Sequence, residues 1–283
     1  MKIFDTHVHY PVSFFQSENI NIKTAEKNLY NLIETFNRIN IVKACLIGGP
    51  GIINDLTADA IKKYSNLFIG LAFLDLDESK PDHIKKFKQL GFRGLKLICP
   101  KKNYDDEAYF PLYDEAEKQG MVCLFHTGIL GGIEDYLKEE SGTSPALIND
   151  VKKFESILKK TGTSSAKMQP ITLDTIGTLF PELKIIGAHV GYGMYDVAAA
   201  VARWRRNVSF DISGGDVVRR HIIEGNYIKK EINVKRLLFG SDSKTERVEN
   251  EILDWIREFD KIGLTEEEKN NIFYNNAAKI FEE

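Results

Sequence analysis

Two imidazoles stand one residue apart near the start of the chain, His7 and His9 of Asp5-Thr6-His7-Val8-His9. The apolar Ile3 and Phe4 precede them, so the stretch reads as the end of a first strand, where alternate side chains share one face. That spacing sets Asp5, His7 and His9 together. Neutral imidazoles at i and i+2 can close on one metal ion, and zinc, iron, nickel or copper all suit them. The pair carries weight only if matching ligands recur, and they do. His126 ends the run Val122-Cys123-Leu124-Phe125, His189 ends the apolar run from Leu183, and Asp242 follows Leu237-Leu238-Phe239-Gly240-Ser241. Four of the six histidines therefore fall at strand ends, and structural histidines would scatter. Lys96 belongs with them. The alternation that turns Leu95 and Leu97 outward turns this lysine inward, where it needs a partner. It can act as a salt-bridging structural residue, grip a substrate carboxylate, or, carbamylated, bridge two metals. His83, beside Asp82 and Lys85, and His221, after Arg219-Arg220, read as exposed helix residues.

The elements that must position these groups alternate along the chain. Strand-sized β-branched and apolar runs at 3–7, 42–47, 67–73, 93–98, 121–128, 183–189, 208–212 and 237–243 are separated by amphipathic stretches, which is the signature of parallel βα units. Eight such units predict an α/β fold, a (β/α)8 TIM barrel, whose chemistry sits at the C-terminal ends of the strands. Those ends are where the histidines and Asp242 fall. The rhythm breaks once, over 129–169, a stretch too long for an ordinary βα loop; it reads as a partly helical lid inserted after strand 5. Gly48-Gly49-Pro50-Gly51 follows the second strand but lacks the GxGxxG spacing and the Lys-Ser/Thr of a phosphate-binding loop, so it reads as a tight turn at the rim.

Composition bounds the rest. A chain of 283 residues fits one barrel domain, 1–283, with no visible linker, and its 43% hydrophobic content is enough for a full core. A net charge of −3 gives no overall attraction for nucleic acid or an acidic membrane, and no apolar run approaches the ~20 residues that span a bilayer. The first residues lead directly into a candidate ligand and leave no room for a signal peptide, so the expectation is a soluble, cytoplasmic protein. Cys45, Cys99 and Cys123 are odd in number, far apart and outside any CxxC spacing; neither a disulfide framework nor a zinc knuckle is indicated.

The ordered motifs DTHVH, GLKL, FHTG, GAHVG and FGSDS, closed by Asn275-Asn276-Ala277-Ala278-Lys279-Ile280-Phe281, resemble the amidohydrolase superfamily. The resemblance covers almost the whole chain and is nearest the branch that includes aminocarboxymuconate-semialdehyde decarboxylase and a dicarboxylate lactonase. It implies a divalent metal, zinc first, held by His7, His9, His126 and Asp242. Asp242 would also take a proton from a metal-activated water, and His189 would polarise the substrate or ligate a second ion. One ion is expected, with two as the alternative if Lys96 is carbamylated. In many relatives His-Pro follows the Lys-Leu pair, whereas Ile98-Cys99-Pro100 follows it here.

The reading is a metal-dependent hydrolase acting on a small-molecule substrate, carboxylated and carrying an amide, lactone or ester bond. Tyr10, Tyr192 and Arg203 are candidate substrate contacts. A decarboxylase (lyase) would use the same constellation plus cationic grips such as Lys96, Arg203 or Arg219, whose alternative is an exposed helix face for both arginines. TatD-like deoxyribonucleases share the first motif, but their strand-end glutamate has no counterpart in Gly70-Leu71-Ala72-Phe73-Leu74-Asp75. From another class comes a non-catalytic metal-binding sensor or scaffold, which an intact ligand set disfavours. A homodimer is a common assembly for such an enzyme.

Overall fold

In the computed structural model, residues 1–12, 20–130, 152, 155–156 and 158–282 are described. Eight strands form, β1 (Ile3–His9), β2 (Ile41–Ile47), β3 (Phe68–Phe73), β4 (Gly94–Leu97), β5 (Val122–Phe125), β6 (Lys184–Gly187), β7 (Val208–Asp211) and β8 (Leu237–Leu238). Each pairs in parallel with its sequence neighbour, giving the unbroken strand order β1 to β8. Backbone bonds across the seam draw the ends together: Thr6 N–H donates to the Phe239 carbonyl at 2.9 Å and Asp242 N–H to the His7 carbonyl at 2.8 Å. The result is an α/β TIM barrel with helices between the strands.

Two layers of apolar side chains hold it. Inside, Phe4, Cys45, Ile47, Leu71, Val122, Leu124, Ile186 and Leu238 meet Ala277 and Phe281 of the C-terminal helix, which plugs the end where the strands begin. Outside, each helix lays one stripe on the sheet. In Ile22–Arg38 the buried residues are Ala25, Leu29, Leu32, Ile33 and Phe36, and in Val248–Lys261 they are Val248, Glu251, Ile252, Trp255 and Phe259, both spaced as one face of an α-helix requires. No helix among the described residues is long and apolar enough to cross a membrane.

Four strands differ from the sequence expectation, the first being β5, expected over 121–128 and regular only over Val122–Phe125. The strand expected over 237–243 is regular only at Leu237–Leu238, because Phe239 N–H bonds to Ile272 instead of continuing the ladder. The strand expected to run to His189 ends at Gly187, and His189 itself adopts a left-handed conformation (φ 62°). In β1 the register slips between Asp5 and Val8, so the period of two breaks. Asp5 pairs with Ala44 of the outer layer while His9 pairs with Ile47 of the interior. Asp5 therefore does not share the face of His7 and His9, as plain alternation predicts. The lid expected over 129–169 lies largely outside the described residues. Its two roots are described: Leu130 N–H donates to Ser165 Oγ at 2.8 Å, and Thr163 Oγ1 donates to the Pro100 carbonyl at 3.0 Å.

Candidate metal centre

His7 sits at the bottom of a pocket at the C-terminal ends of the strands and is 1% exposed. Its Nδ1–H donates to Asp211 Oδ2 at 2.8 Å, which leaves the Nε2 lone pair facing the pocket. Asp211 Oδ1 accepts the His189 N–H at 3.0 Å, the Ser213 N–H at 3.1 Å and the Ser213 hydroxyl. With its proton committed to Asp211, Ser213 Oγ accepts from His189 Nδ1 at 2.9 Å, so His189 also presents Nε2 to the pocket. Burial alone raises the Asp211 carboxyl, but the facing His7 and His189 and these hydrogen bonds hold it well below the ordinary carboxylate range. One buried carboxylate thus sets the tautomers of two imidazoles.

Asp242 completes the near side. Its Oδ1 lies 3.4 Å from His9 Nε2 and 3.7 Å from His7 Nε2, and its Oδ2 lies 3.8 Å from His189 Nε2. Like His189 it is a non-glycine residue in the left-handed region (φ 43°), a conformation worth roughly 1–3 kcal/mol of strain that persists only where the surroundings enforce it. The enforcing bonds are the seam bond from Asp242 N–H to His7 and the bond from His189 N–H to Asp211. Burial pushes Asp242 up, but the three imidazoles and Lys96 outweigh it and bring the carboxyl down to about 2.

His126 enters from β5. The loops after β5 and β6 are zipped together, with Tyr192 N–H donating to Thr127, Ile129 N–H to Tyr192 at 2.8 Å and Thr127 Oγ1 to the Ala188 carbonyl at 2.6 Å. His126 stands edge-on to His189, ring centroids 5.0 Å apart, and its Nε2 is buried with no hydrogen-bond partner among the described residues. An orphaned buried imidazole nitrogen in a histidine-lined pocket is what a metal ligand looks like without its ion. The donor set fits a divalent cation: His7, His9 and Asp242 offer atoms within 4.8 Å of one another, and His126 lines the same pocket outside that grouping. His7, His189 and Asp211 form a second such grouping, but Ser213 Oγ bonds to all three and makes that one a hydrogen-bonded cluster.

Lys96 points inward as the alternation predicts, 2% exposed, and its Nζ donates to His7 Nε2 at 3.1 Å. Burial pushes its pKa down against the attraction of Asp242 and Asp211. A metal on His7 would claim the same lone pair and would displace Lys96 from it. The remaining walls are Ile98, Ile129, Leu130, Tyr192, Gly214 and Val218, around a cavity of about 280 Å³.

Of the other residues expected at the site, Tyr192 lines this pocket, whereas Tyr10 is 3% exposed within the outer core. Arg203 lies where β6 to β8 begin, at the opposite end of the barrel, and pairs with Glu231 at 2.8 Å. Arg219 is not on an exposed face: it is 7% exposed and bonded to Asp216, Glu251 and Asp254. His83 is exposed as expected, but His221 is half-buried, 3.3 Å from the Tyr195 hydroxyl. Asp211 and Ser213 were not anticipated, although Asp211 meets the same criterion as Asp242, a carboxylate ending an apolar strand.

The family model described as amidohydrolase matches residues 42–282. No curated protein sequence matches the chain. Among solved structures, it is similar to a probable 2-pyrone-4,6-dicarboxylic acid hydrolase from Acinetobacter baumannii with citric acid bound (16% identity, TM-score 0.67, 100% of both chains covered). It is also similar to 5-carboxyvanillate decarboxylase from Novosphingobium aromaticivorans, complexed with manganese and 4-hydroxy-3-methoxy-5-nitrobenzoic acid (18% identity, TM-score 0.64, 100% of this chain and 96% of that one). The third is 2,6-dihydroxybenzoate decarboxylase from Rhizobium (16% identity, TM-score 0.62, 100% and 99%). At these identities the likeness shows the fold.

Proposed function

Because the chain belongs to the amidohydrolase family and is an enzyme of that superfamily, we propose that it hydrolyses an amide, lactone or ester bond of a small carboxylated molecule with one divalent ion, zinc first, on His7, His9, His126 and Asp242. The observation that carries this reading is the convergence of three imidazoles and the Asp242 carboxylate on one pocket, with the buried His126 Nε2, which has no partner among the described residues, beside them. A divalent ion there supplies Lewis acidity and lowers the pKa of a water toward neutrality. The protein's own groups do the rest. Asp242 has one oxygen turned to His7 and His9 and the other to His189, so it can take a proton on one side and hand it across on the other. His189, with Nδ1 held by Ser213, meets the substrate through Nε2 alone. Lys96, once released from His7, is the ammonium for a substrate carboxylate, and the wall of Ile98, Ile129, Leu130 and Val218 excludes water from its apolar part.

A second reading, decarboxylation, is favoured by that apolar wall, which with one ammonium suits a flat aromatic acid. The two readings share their ligands and differ in product. Lactone, ester and amide hydrolysis is therefore assayed alongside CO2 release from aromatic acids, on protein whose metal content has been measured. About one ion per chain and ring opening or cleavage without CO2 is the expected result; CO2 release replaces the first reading by the second. His126→Ala and Asp242→Ala are expected to lower kcat/KM by at least about a thousandfold, with circular dichroism unchanged. Full activity in either variant would remove the assignment.

A further inference from the structure

At the end of the barrel opposite the histidines, where β6 and β7 begin and Arg236 leads into β8, lies a second basin of about 1170 Å³. Its lining holds eight lysines and arginines against two glutamates, in a chain whose net charge is −3. The two glutamates are already taken, Glu231 by Arg203 at 2.8 Å and Glu268 by Lys229 at 2.9 Å. Lys184, Arg206, Lys230, Lys235, Arg236 and Lys279 have no carboxylate partner among the described residues. Two of these cations are forced together: Arg236 Nη1 donates to the carbonyl oxygen of Arg206, and burial together with the neighbouring Arg206 guanidinium weakens the hold of Arg236 on its proton. Lys184 is half-buried, its Nζ bonded to the Ile280 carbonyl at 2.8 Å, so positive charge also lines the inner wall.

Like charges gathered in a concave surface repel one another and focus a positive field, and both effects are relieved by a compact ligand of high negative charge. We infer that this basin is a binding site for a short oligophosphate, with Arg206 and Arg236 forking its oxygens and Lys230, Lys235 and Lys279 closing around it. Guanidinium forks match phosphate oxygens bidentately, and lysines act as point charges around them. The source can be an inorganic oligophosphate or the phosphate chain of a nucleotide. An extended nucleic acid fits less well, because the cations face one cavity instead of forming a track and the chain as a whole is acidic.

The test is calorimetric titration of the metal-loaded enzyme with inorganic triphosphate, with ATP and with a single-stranded RNA oligomer, at low and at physiological salt. Wild type is compared with the double variant Arg206→Glu, Lys235→Glu. Both side chains are exposed and neither belongs to the metal centre, so fold and catalysis are expected to be unchanged. One triphosphate per chain is expected, weakened by salt and by at least about tenfold in the double variant. Equal affinity for triphosphate and ATP assigns recognition to the phosphate chain, and tighter ATP binding assigns it to a nucleotide. Absence of saturable binding at low salt overturns the proposal. So does binding that survives the double variant, which would place the ligand at the metal centre, and so does a preference for RNA.

Discussion

Asp211 is the residue on which the geometry of the metal centre turns, although it need not touch an ion itself. It fixes the His7 ring directly and the His189 ring through Ser213, so that both Nε2 atoms face the pocket. Asp211→Asn keeps the volume but offers an amide where an acceptor is required, which allows the wrong tautomer of His7. Loss of such a partner typically weakens metal binding by about 10–100-fold, and chelator competition on the purified variant measures it. Lys96→Met addresses the count of ions. Removing the Nζ that donates to His7 Nε2 leaves the one-ion site intact, so elemental analysis is expected to give one ion per chain in wild type and variant alike, with substrate affinity reduced. Two ions in wild type and one in the variant would make Lys96 a carbamate bridge.

At the scale of elements, two features set how the site is held. Gly128 sits at φ 93° where the β5 and β6 loops meet, and a Cβ there would collide with the backbone nitrogen and carbonyl oxygen of Tyr192. Backbone cannot swing aside as a side chain can. Gly128→Ala is expected to lower stability by at least about 2 kcal/mol and to displace His126 and Tyr192 together, seen as a lower denaturant midpoint and a weaker metal affinity. On the outer layer, Arg219 of the helix Gly215–Glu224 reaches Glu251 of the helix Val248–Lys261 at 2.8 Å, and Glu251 is 3% exposed. Arg219→Met takes the hydrogen-bonded partner from that buried carboxylate and leaves it only the more distant Arg247, 3.9 Å away, among the described residues. The expected loss is at most about 3–5 kcal/mol at neutral pH, the upper limit for a wholly unpaired buried charge, shrinking in the double variant with Glu251→Leu.

For the whole molecule, the metal-free protein carries a pH dependence of definite sign. Burial brings His189 down to about 4 and lowers His126 as well, and it brings the half-exposed His9 down to about 3; all three return to ordinary histidine behaviour on unfolding. The unfolded chain therefore binds two to three more protons at these sites between pH about 6.5 and 4, because solvent screens part of the effect at His9. Asp5 opposes them: burial pushes it up to about 7, so over the same window the folded state holds one extra proton. The balance is about one to two protons more on the unfolded chain. Stability of the metal-free protein is expected to fall as pH drops from about 6.5 to about 4, by at most about 2.7 kcal/mol per pH unit. Urea midpoints across this range measure it, and a midpoint that rises on acidification would contradict the neutral state of His126 and His189. A ligated metal would steepen the loss, because protons compete for the same nitrogens.

The linear order of residue types determined the eight βα units, the inward lysine of β4 and the strand ends that carry His7, His9, His126, His189 and Asp242, because strand alternation and strand-end placement are local properties. Only the folded chain decided what faces what. The slip in β1 that removes Asp5 from the histidine face depends on pairing with β2, and the left-handed turns at His189 and Asp242 depend on bonds to Asp211 and His7, distant in sequence. The same holds for Arg203 and Arg219. Both looked like available cations in the sequence, but a side chain's partners are set by which surfaces the barrel closes together, and closure placed one at the far end and buried the other among carboxylates.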